Sequence, residues 1–168
     1  MLPLPPPNGE RTWRDAMGGT VIESWVGNPT GRRGYEKQYF PGVDVGLIGW
    51  ERAHSQGNIT GHESALGIRY APQDVNQAFQ RLGIERFIAE LNQEKGPDAQ
   101  ILLTTVTYTH TGTLRLREIQ YKVEVVRQGN RRALFEAAIE VENKKQLPRV
   151  TIQARLRTPR ETWLALLR

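Results

Sequence analysis

Glu51-Arg52-Ala53-His54 is the densest knot of reactive side chains in the sequence. It follows an apolar run, Val43, Val45, Leu47, Ile48 and Trp50, that reads as a buried strand. The quartet is therefore expected at a strand end, where a scaffold holds a side chain rigidly yet leaves it at an accessible edge. A histidine there takes a proton from water near neutral pH, since its unperturbed pKa is about 6.5. Asn76 comes 22 residues after His54, one step off the apolar stripe of the helix expected to follow. Its carboxamide oxygen is a hard ligand of the kind Mg²⁺ accepts beside several waters and a substrate phosphate. Plain structural roles compete with these: a strand-end hydrogen bond for His54, a cap or solvent-facing position for Asn76, and ion pairing of Arg52 with Glu51 or Glu63. His62 and Glu63 make a second acid–base or metal pair, set in a polar loop. His110 falls at a hairpin tip, where it is expected to be exposed.

The elements that must position these residues follow from periodicity. Thr20 to Val26 reads as a short strand, with a turn at Gly27-Asn28-Pro29-Thr30-Gly31. Leu66 to Tyr70 is a second strand partnering the Val43 to Trp50 run. Pro72 with Asp74 then opens a helix at its first turn. Val75, Phe79 and Leu82 recur at helical spacing, and after Gly83 a second set, Ile84, Phe87, Ile88 and Leu91, runs up to Gly96-Pro97. The last third is strand-rich. Ile101 to Thr109 is dominated by β-branched residues, so its threonines read as strand formers rather than nucleophiles. Leu114 to Val126 alternates in two registers, and the parity change near Arg117 predicts a β-bulge. Gly129-Asn130 turns the chain into a strand with Phe135, Ala137, Ile139 and Val141 on one face. Val150, Ile152, Ala154 and Leu156 form a further strand. Thr158 with Glu161 is the expected capping box of a terminal helix. The fold class is α+β: a ββα unit, an antiparallel β-meander and a C-terminal helix.

The chain has 168 residues, of which 38% are hydrophobic and 24% charged. That suits one domain with a sizeable core and excludes a disordered tail. No apolar run approaches a membrane span. The opening Met1-Leu2-Pro3-Leu4-Pro5-Pro6-Pro7 favours polyproline II, so residues 1–8 read as a linker end and 9–168 as a single domain. No signal peptide is visible there. Cysteine is absent, which excludes disulfides, thiolate zinc sites and cysteine nucleophiles. The net charge is +5, and only five of the 23 basic residues are lysine. The arginine excess points to phosphate-bearing or acidic partners, against the plain alternative of a solvated surface. Arg32, Arg33 and Lys37, interleaved with Tyr35 and Tyr39, form a basic-aromatic patch suited to phosphate or base contact. Arg115, Arg117, Arg155 and Arg157 fall at alternating strand positions, on a solvated or substrate-facing sheet surface.

Glu51-Arg52-Ala53-His54, the Gly-containing loop after it and Asn76-Gln77 on a helix resemble the Asp-Arg-Gly-His…Asn pattern of DNA/RNA non-specific endonucleases, of the ββα-metal (His-Me finger) group. The stretch 49–57, Gly49-Trp50-Glu51-Arg52-Ala53-His54-Ser55-Gln56-Gly57, with Tyr70-Ala71-Pro72 and Val75-Asn76-Gln77, also resembles the type 4 group of C-terminal toxin domains of bacterial polymorphic toxins. The resemblance spans roughly Val43 to Leu91. It implies a metal-dependent nuclease in which His54 activates water, Asn76 binds a divalent ion such as Mg²⁺, and Arg52 steadies the phosphate or leaving group. Glu51 stands where the pattern has Asp, and Ala53 replaces its glycine. The pattern's helix glutamate falls near Glu85, which a continuous helix would turn away from Asn76. The toxin resemblance further implies secretion or contact delivery at the end of a larger parent protein, action in the target-cell cytoplasm, no membrane insertion, and a cognate immunity protein, expected to be acidic. Two other readings stand beside it. One is an ADP-ribosyltransferase toxin using Arg52 or His54, Thr104-Thr105 and Glu140 or Glu142. The other is a non-catalytic Arg-rich module that binds nucleic acid or an acidic protein.

Overall fold

The computed structural model describes residues 4–5, 10–26, 47–53, 69–73, 75, 85–159 and 162–167. Among them are eight strands and two helices: β1 (Glu10–Arg14), β2 (Thr20–Trp25), β3 (Trp50–Ala53), β4 (Arg69–Pro72), α1 (Glu85–Glu94), β5 (Gln100–Thr109), β6 (Leu116–Arg127), β7 (Asn130–Val141), β8 (Val150–Leu156) and α2 (Trp163–Leu167). Six strands form one antiparallel sheet in the order β1-β2-β5-β6-β7-β8, and β3 pairs with β4 in a separate two-stranded sheet. The mixture of a dominant antiparallel sheet with a few helices agrees with an α+β class.

Alternation decides which face of the large sheet is buried. Ile22 on β2, Ile101 and Leu103 on β5, Ile119, Tyr121 and Val123 on β6, and Ala137, Ile139 and Val141 on β7 all turn to one side and are buried. Most of them share a cluster with Ile88 and Leu91 of α1 and Trp163 and Leu167 of α2. The amphipathic spacing of α1 thus supplies a lid, and Gly96 N–H bonds to Leu167 O at 2.6 Å to tie the two helices' ends together. The hairpin joining β6 and β7 turns through Gln128 and Gly129, both at positive φ (51° and 79°), the pattern of a two-residue hairpin turn. The bulge predicted near Arg117 is present: Tyr108 pairs with Glu118 but Thr109 with Leu116, leaving Arg117 as the extra residue.

Several expectations shift. The β3 strand starts at Trp50 rather than ending there, so Glu51, Arg52 and Ala53 lie within it, and Ile48 is 52% exposed instead of buried. Pro72 is the last residue of β4, not the first turn of a helix. Proline fits because Trp50 and Pro72 face each other as a non-hydrogen-bonded pair, flanked by the bond from Gln73 N–H to Gly49 O at 2.8 Å, so no ladder bond to β3 needs an N–H at position 72. Glu10–Arg14 is a strand that weak alternation did not reveal. Glu161, the partner of Thr158 in the expected capping box, lies outside the described residues; what is described of Thr158 is a tertiary role. Its hydroxyl donates to Ala133 O at 2.6 Å, tying the end of β8 to β7, while Trp163 Nε1 donates to Thr158 O at 2.8 Å. β8 is an edge strand with Ile152 and Leu156 each more than 40% exposed. Pro5, inside the segment read as a linker end, is buried and accepts a hydrogen bond from Trp25 Nε1. β3 and β4 pair antiparallel, but the expected ββα unit is not shown. Asn76, on its expected helix, lies outside the described residues.

Candidate functional site

The small β3–β4 sheet is fastened to one end of the large sheet. Tyr70 N–H bonds to Leu114 O at 2.9 Å in the β5–β6 connection. Ile48 exchanges bonds with the β7–β8 connection, through Lys145 O at 2.9 Å and Leu147 N–H at 3.0 Å, and Trp50 Nε1 donates to Lys144 O at 3.2 Å. In register, Glu51 pairs with Ala71, Arg52 with Tyr70 and Ala53 with Arg69. The strand leading to His54 is therefore clamped on both edges of its hairpin, through Tyr70 on one strand and Ile48 just ahead of the other. His54, Asn76, Arg32, Arg33 and Lys37 lie outside the described residues, as do His62 and Glu63. Of Glu51, Arg52 and Glu85 the backbone alone is described, Glu85 as the first residue of α1. Among the described residues no group of three or more His, Asp or Glu side chains is arranged to hold a metal ion.

His110 sits at this same junction. It is 8% exposed rather than exposed at a hairpin tip, because the β5–β6 connection folds inward. Its Nε2 lies 2.9 Å from Val141 O, and its N–H bonds to Arg115 O at 3.0 Å. Burial holds its pKa below the ordinary imidazole value, against the opposing pull of the Val141 carbonyl. Arg115, expected on an open sheet surface, is 8% exposed.

The second chemical feature lies on the sheet face turned away from the helices. Register places six residues in one row across all six strands: Arg11, Glu23, Thr104, Lys122, Glu136 and Arg155. The neighbouring row carries Trp13, Val21, Val106, Gln120, Ala138 and Gln153. Small or unbranched side chains at the centre of both rows leave an open cleft of about 550 Å³, lined by Thr104, Val106, Gln120, Lys122, Glu136, Ala138, Gln153 and Arg155 among others. At one end of the cleft the carboxylates of Glu23 and Glu124, each about 5% exposed, share Arg131. Arg131 meets Glu124 with two bonds, 2.7 and 3.1 Å, and Glu23 with one of 3.0 Å. That pairing raises the Arg131 pKa above its usual value. Thr104 Oγ1 donates to Glu23 Oε2 at 3.3 Å, and Arg11 stacks over Trp13 with its other side toward Glu23. Lys122 Nζ is 3.9 Å from Glu124, and Arg157 Nη1 is 3.7 Å from Glu136. Sequence reading singled out Arg155 only as a sheet-surface residue. The rest of the row needed the strand register, because its members come from six strands spread over 145 residues of sequence.

Glu140 and Glu142 flank buried Val141 on the β7 strand's end, and Glu142 pairs with Arg149 at 3.4 Å. Their alternation is that of a strand's polar side, as its spacing suggests.

A mixed fold dominated by one antiparallel sheet, with a small clamped hairpin at its end and a charged cleft on its open face, is the class these residues define. The family model described as Bacterial toxin 4 (Ntox4) matches residues 47–139. This is more than half of the chain, which belongs to that family. The match runs from the segment before β3 through most of β7, so it takes in the clamped hairpin and the inner strands of the cleft. No curated protein and no solved structure matches the chain. Among the described residues no helix is long and apolar enough to cross a membrane.

Proposed function

We propose that this bacterial toxin domain is a metal-dependent nuclease that hydrolyses phosphodiester bonds of DNA or RNA, with His54 as general base. One observation carries the reading. The β3–β4 hairpin, inside the family-matched segment, fixes Arg52 opposite Tyr70 and bonds Tyr70 in turn to the β5–β6 connection. A base placed immediately after such a strand gains the positional rigidity that general-base catalysis requires.

In this reading His54 takes the proton of the attacking water, and the Arg52 guanidinium offsets charge gathering on the phosphoryl oxygens. The donor set suits a hard ion: the chain has no thiolate, and Asn76 offers a carboxamide oxygen. Asn76, with Glu85 as a further candidate, would hold Mg²⁺ or a similar divalent ion, which would supply Lewis-acid stabilisation of the phosphate and leaving oxygen. Arg32, Arg33 and Lys37 would add sequence-independent backbone contacts, with affinity that falls as salt rises.

The biological setting proposed for it is that of a secreted or contact-delivered effector, carried by a parent protein and acting in the target-cell cytoplasm. Its antidote would be an acidic immunity protein, whose charge complements the +5 domain and speeds encounter.

The test is direct. The protein is incubated with plasmid DNA and with total RNA, in Mg²⁺ or in EDTA, beside His54→Ala. Degradation of either substrate that needs both Mg²⁺ and His54 supports the assignment. Intact substrate with the wild type, or degradation that survives EDTA and His54→Ala, overturns it, and consumption of NAD would favour the transferase reading.

A further inference from the structure

We infer that the cleft on the open face of the large sheet is a binding site for one ribonucleotide unit of single-stranded RNA. The phosphates on the two sides of its ribose lie one on Lys122 and one on Arg155, a ribose hydroxyl between them on Glu136, and the base edge against Gln120 and Gln153. The argument starts from the register. Lys122, Glu136 and Arg155 are consecutive members of one row on β6, β7 and β8. Lys122 and Arg155 thus flank a carboxylate at two strand spacings from one another, roughly 10 Å. A bare cation pair would suit any phosphate. The carboxylate between them would repel a phosphate placed over it and instead accepts from a hydroxyl, and the 2′-hydroxyl is what separates RNA from DNA.

The adjacent row lies about 7 Å along the strands and differs in chemistry. Gln120, Ala138 and Gln153 stand side by side on β6, β7 and β8, with Val106 beyond Gln120 on β5. Two carboxamides rise on either side of a methyl-sized floor: Gln153 with donor and acceptor, and Gln120 with its oxygen as acceptor, its Nε2 donating to Glu118 Oε1 at 3.2 Å. That arrangement offers hydrogen bonds to the edge of a base laid over an apolar patch. The step from the charged row to the amide row matches the step from phosphate and sugar to base within a nucleotide. The volume of about 550 Å³ lies within the range of small-ligand clefts, roughly 300–1,000 Å³. Arg157 pairs with Glu136 at 3.7 Å from the edge away from the cleft's amide row.

The site requires neither His54 nor a metal, so it stands or falls apart from the nuclease reading. The experiment is fluorescence anisotropy of labelled single-stranded RNA and DNA of one sequence with the full chain in EDTA, over a salt series. RNA should bind more tightly than DNA. Lys122→Ala and Arg155→Ala should each weaken both by about tenfold and lower the salt slope by about 0.7. Glu136→Ala should remove the preference for RNA, while Gln120→Ala weakens binding with the salt slope unchanged. Arg86→Ala, on the opposite side of the molecule in α1 and 64% exposed, is the control and should change nothing beyond a general charge effect. Arg155 is exposed on an edge strand, so its variant remains informative if Lys122→Ala fails to fold. Absence of binding by the wild type, or affinities and salt slopes that Arg155→Ala leaves unchanged, overturns the site. Equal affinity for RNA and DNA, lost with the cations, overturns the ribose assignment. Cleavage without this binding would leave the nuclease standing and remove the cleft; binding by a wild type that cleaves neither substrate in Mg²⁺ would do the reverse.

Discussion

Arg131 grips Glu124 in a two-pronged pair, Nη2 to Oε1 at 2.7 Å and Nε to Oε2 at 3.1 Å, and the same Nη2 reaches Glu23 Oε2 at 3.0 Å. Glu124 is on β6 and Glu23 on β2, two strands away across β5. One guanidinium on the β7 strand therefore pairs with two nearly buried carboxylates and links three strands, β7, β6 and β2, across the intervening β5 on the open sheet face. Only a planar fork of donors makes both connections at once.

Removing Arg131 leaves both carboxylates buried without their principal cation. Arg131→Ala should destabilise the domain by about 3–5 kcal/mol, the usual cost of breaking a buried pair. Arg131→Lys should recover only part of this, because an ammonium cannot serve both carboxylates with the same geometry. Adding Glu124→Gln to Arg131→Ala should be less costly than the two changes summed, since it deletes one of the stranded charges. Urea denaturation of the wild type, the three single variants and the double variant measures each quantity, and additive costs would show that the network is not coupled.

Tyr108 and Asp15 form a second link, between β5 and the turn joining β1 to β2. The phenol donates to Asp15 Oδ2 at 2.5 Å, while Asp15 Oδ1 accepts from Met17 and Gly19 N–H. The bond pushes the Tyr108 pKa up to about 12 and holds Asp15 below its ordinary value of 3.8. The signs follow separately. The Tyr108 contribution is fully present below pH ~10 and lost as pH rises through about 12. That of Asp15 is present above pH 3.8 and lost as pH falls through its depressed value. Tyr108→Phe should flatten the stability profile at both extremes. Ultraviolet titration of tyrosinate should lose one late-titrating group; an unchanged titration curve would refute the assignment.

His110 adds a slope in a different window. Its folded pKa is depressed by burial below 6.5, so the unfolded chain binds the extra proton first as pH falls. Stability attributable to it is present above pH 6.5 and is lost as pH falls through the depressed value. His110→Gln keeps a donor for Val141 O while removing the charge. Its melting temperature should be less sensitive to acidification just below pH 6.5 than that of the wild type, and parallel melting curves would count against the buried neutral imidazole.

The strands were legible where burial enforces alternation. Ile119, Tyr121, Val123 and Val125 show one parity and Leu114 and Leu116 another, so even the bulge at Arg117 was readable, since an extra residue inverts the pattern. The β1 strand was not, because it is a sheet edge whose Arg11, Thr12, Trp13 and Arg14 carry no apolar face. The Thr158 hydroxyl donates to Ala133 O across the sheet, a tertiary partner no local motif can foresee. The β3 strand slipped by several residues for a similar reason. Val43 to Trp50 is apolar enough to read as a strand, but the bonds that define β3 come from Arg69 to Pro72. The site divides along the same line. Glu51 to His54 stands out because its members are neighbours in sequence, whereas the row from Arg11 to Arg155 exists only once six strands are in register.

Gly18 and Gly19 adjoin in sequence but are required for different reasons. Gly18 has φ +81° with nothing within 4 Å of a hypothetical Cβ. Gly18→Ala should therefore cost about 1–2 kcal/mol through backbone strain alone. A Cβ on Gly19 would stand 2.6 Å from Tyr108 Cε1 and 3.0 Å from Asp15 Oδ2. The ring cannot swing aside freely, because its hydroxyl is held by that same Asp15. Gly19→Ala should cost about 1–3 kcal/mol by overpacking and should also weaken the Tyr108–Asp15 bond. A Tyr108→Ala background separates the two: it should relieve most of the Gly19→Ala penalty and none of that at Gly18. Thermal denaturation of the double variants reads the difference, and equal relief at both glycines would show that the ring contact is not what keeps Gly19 small.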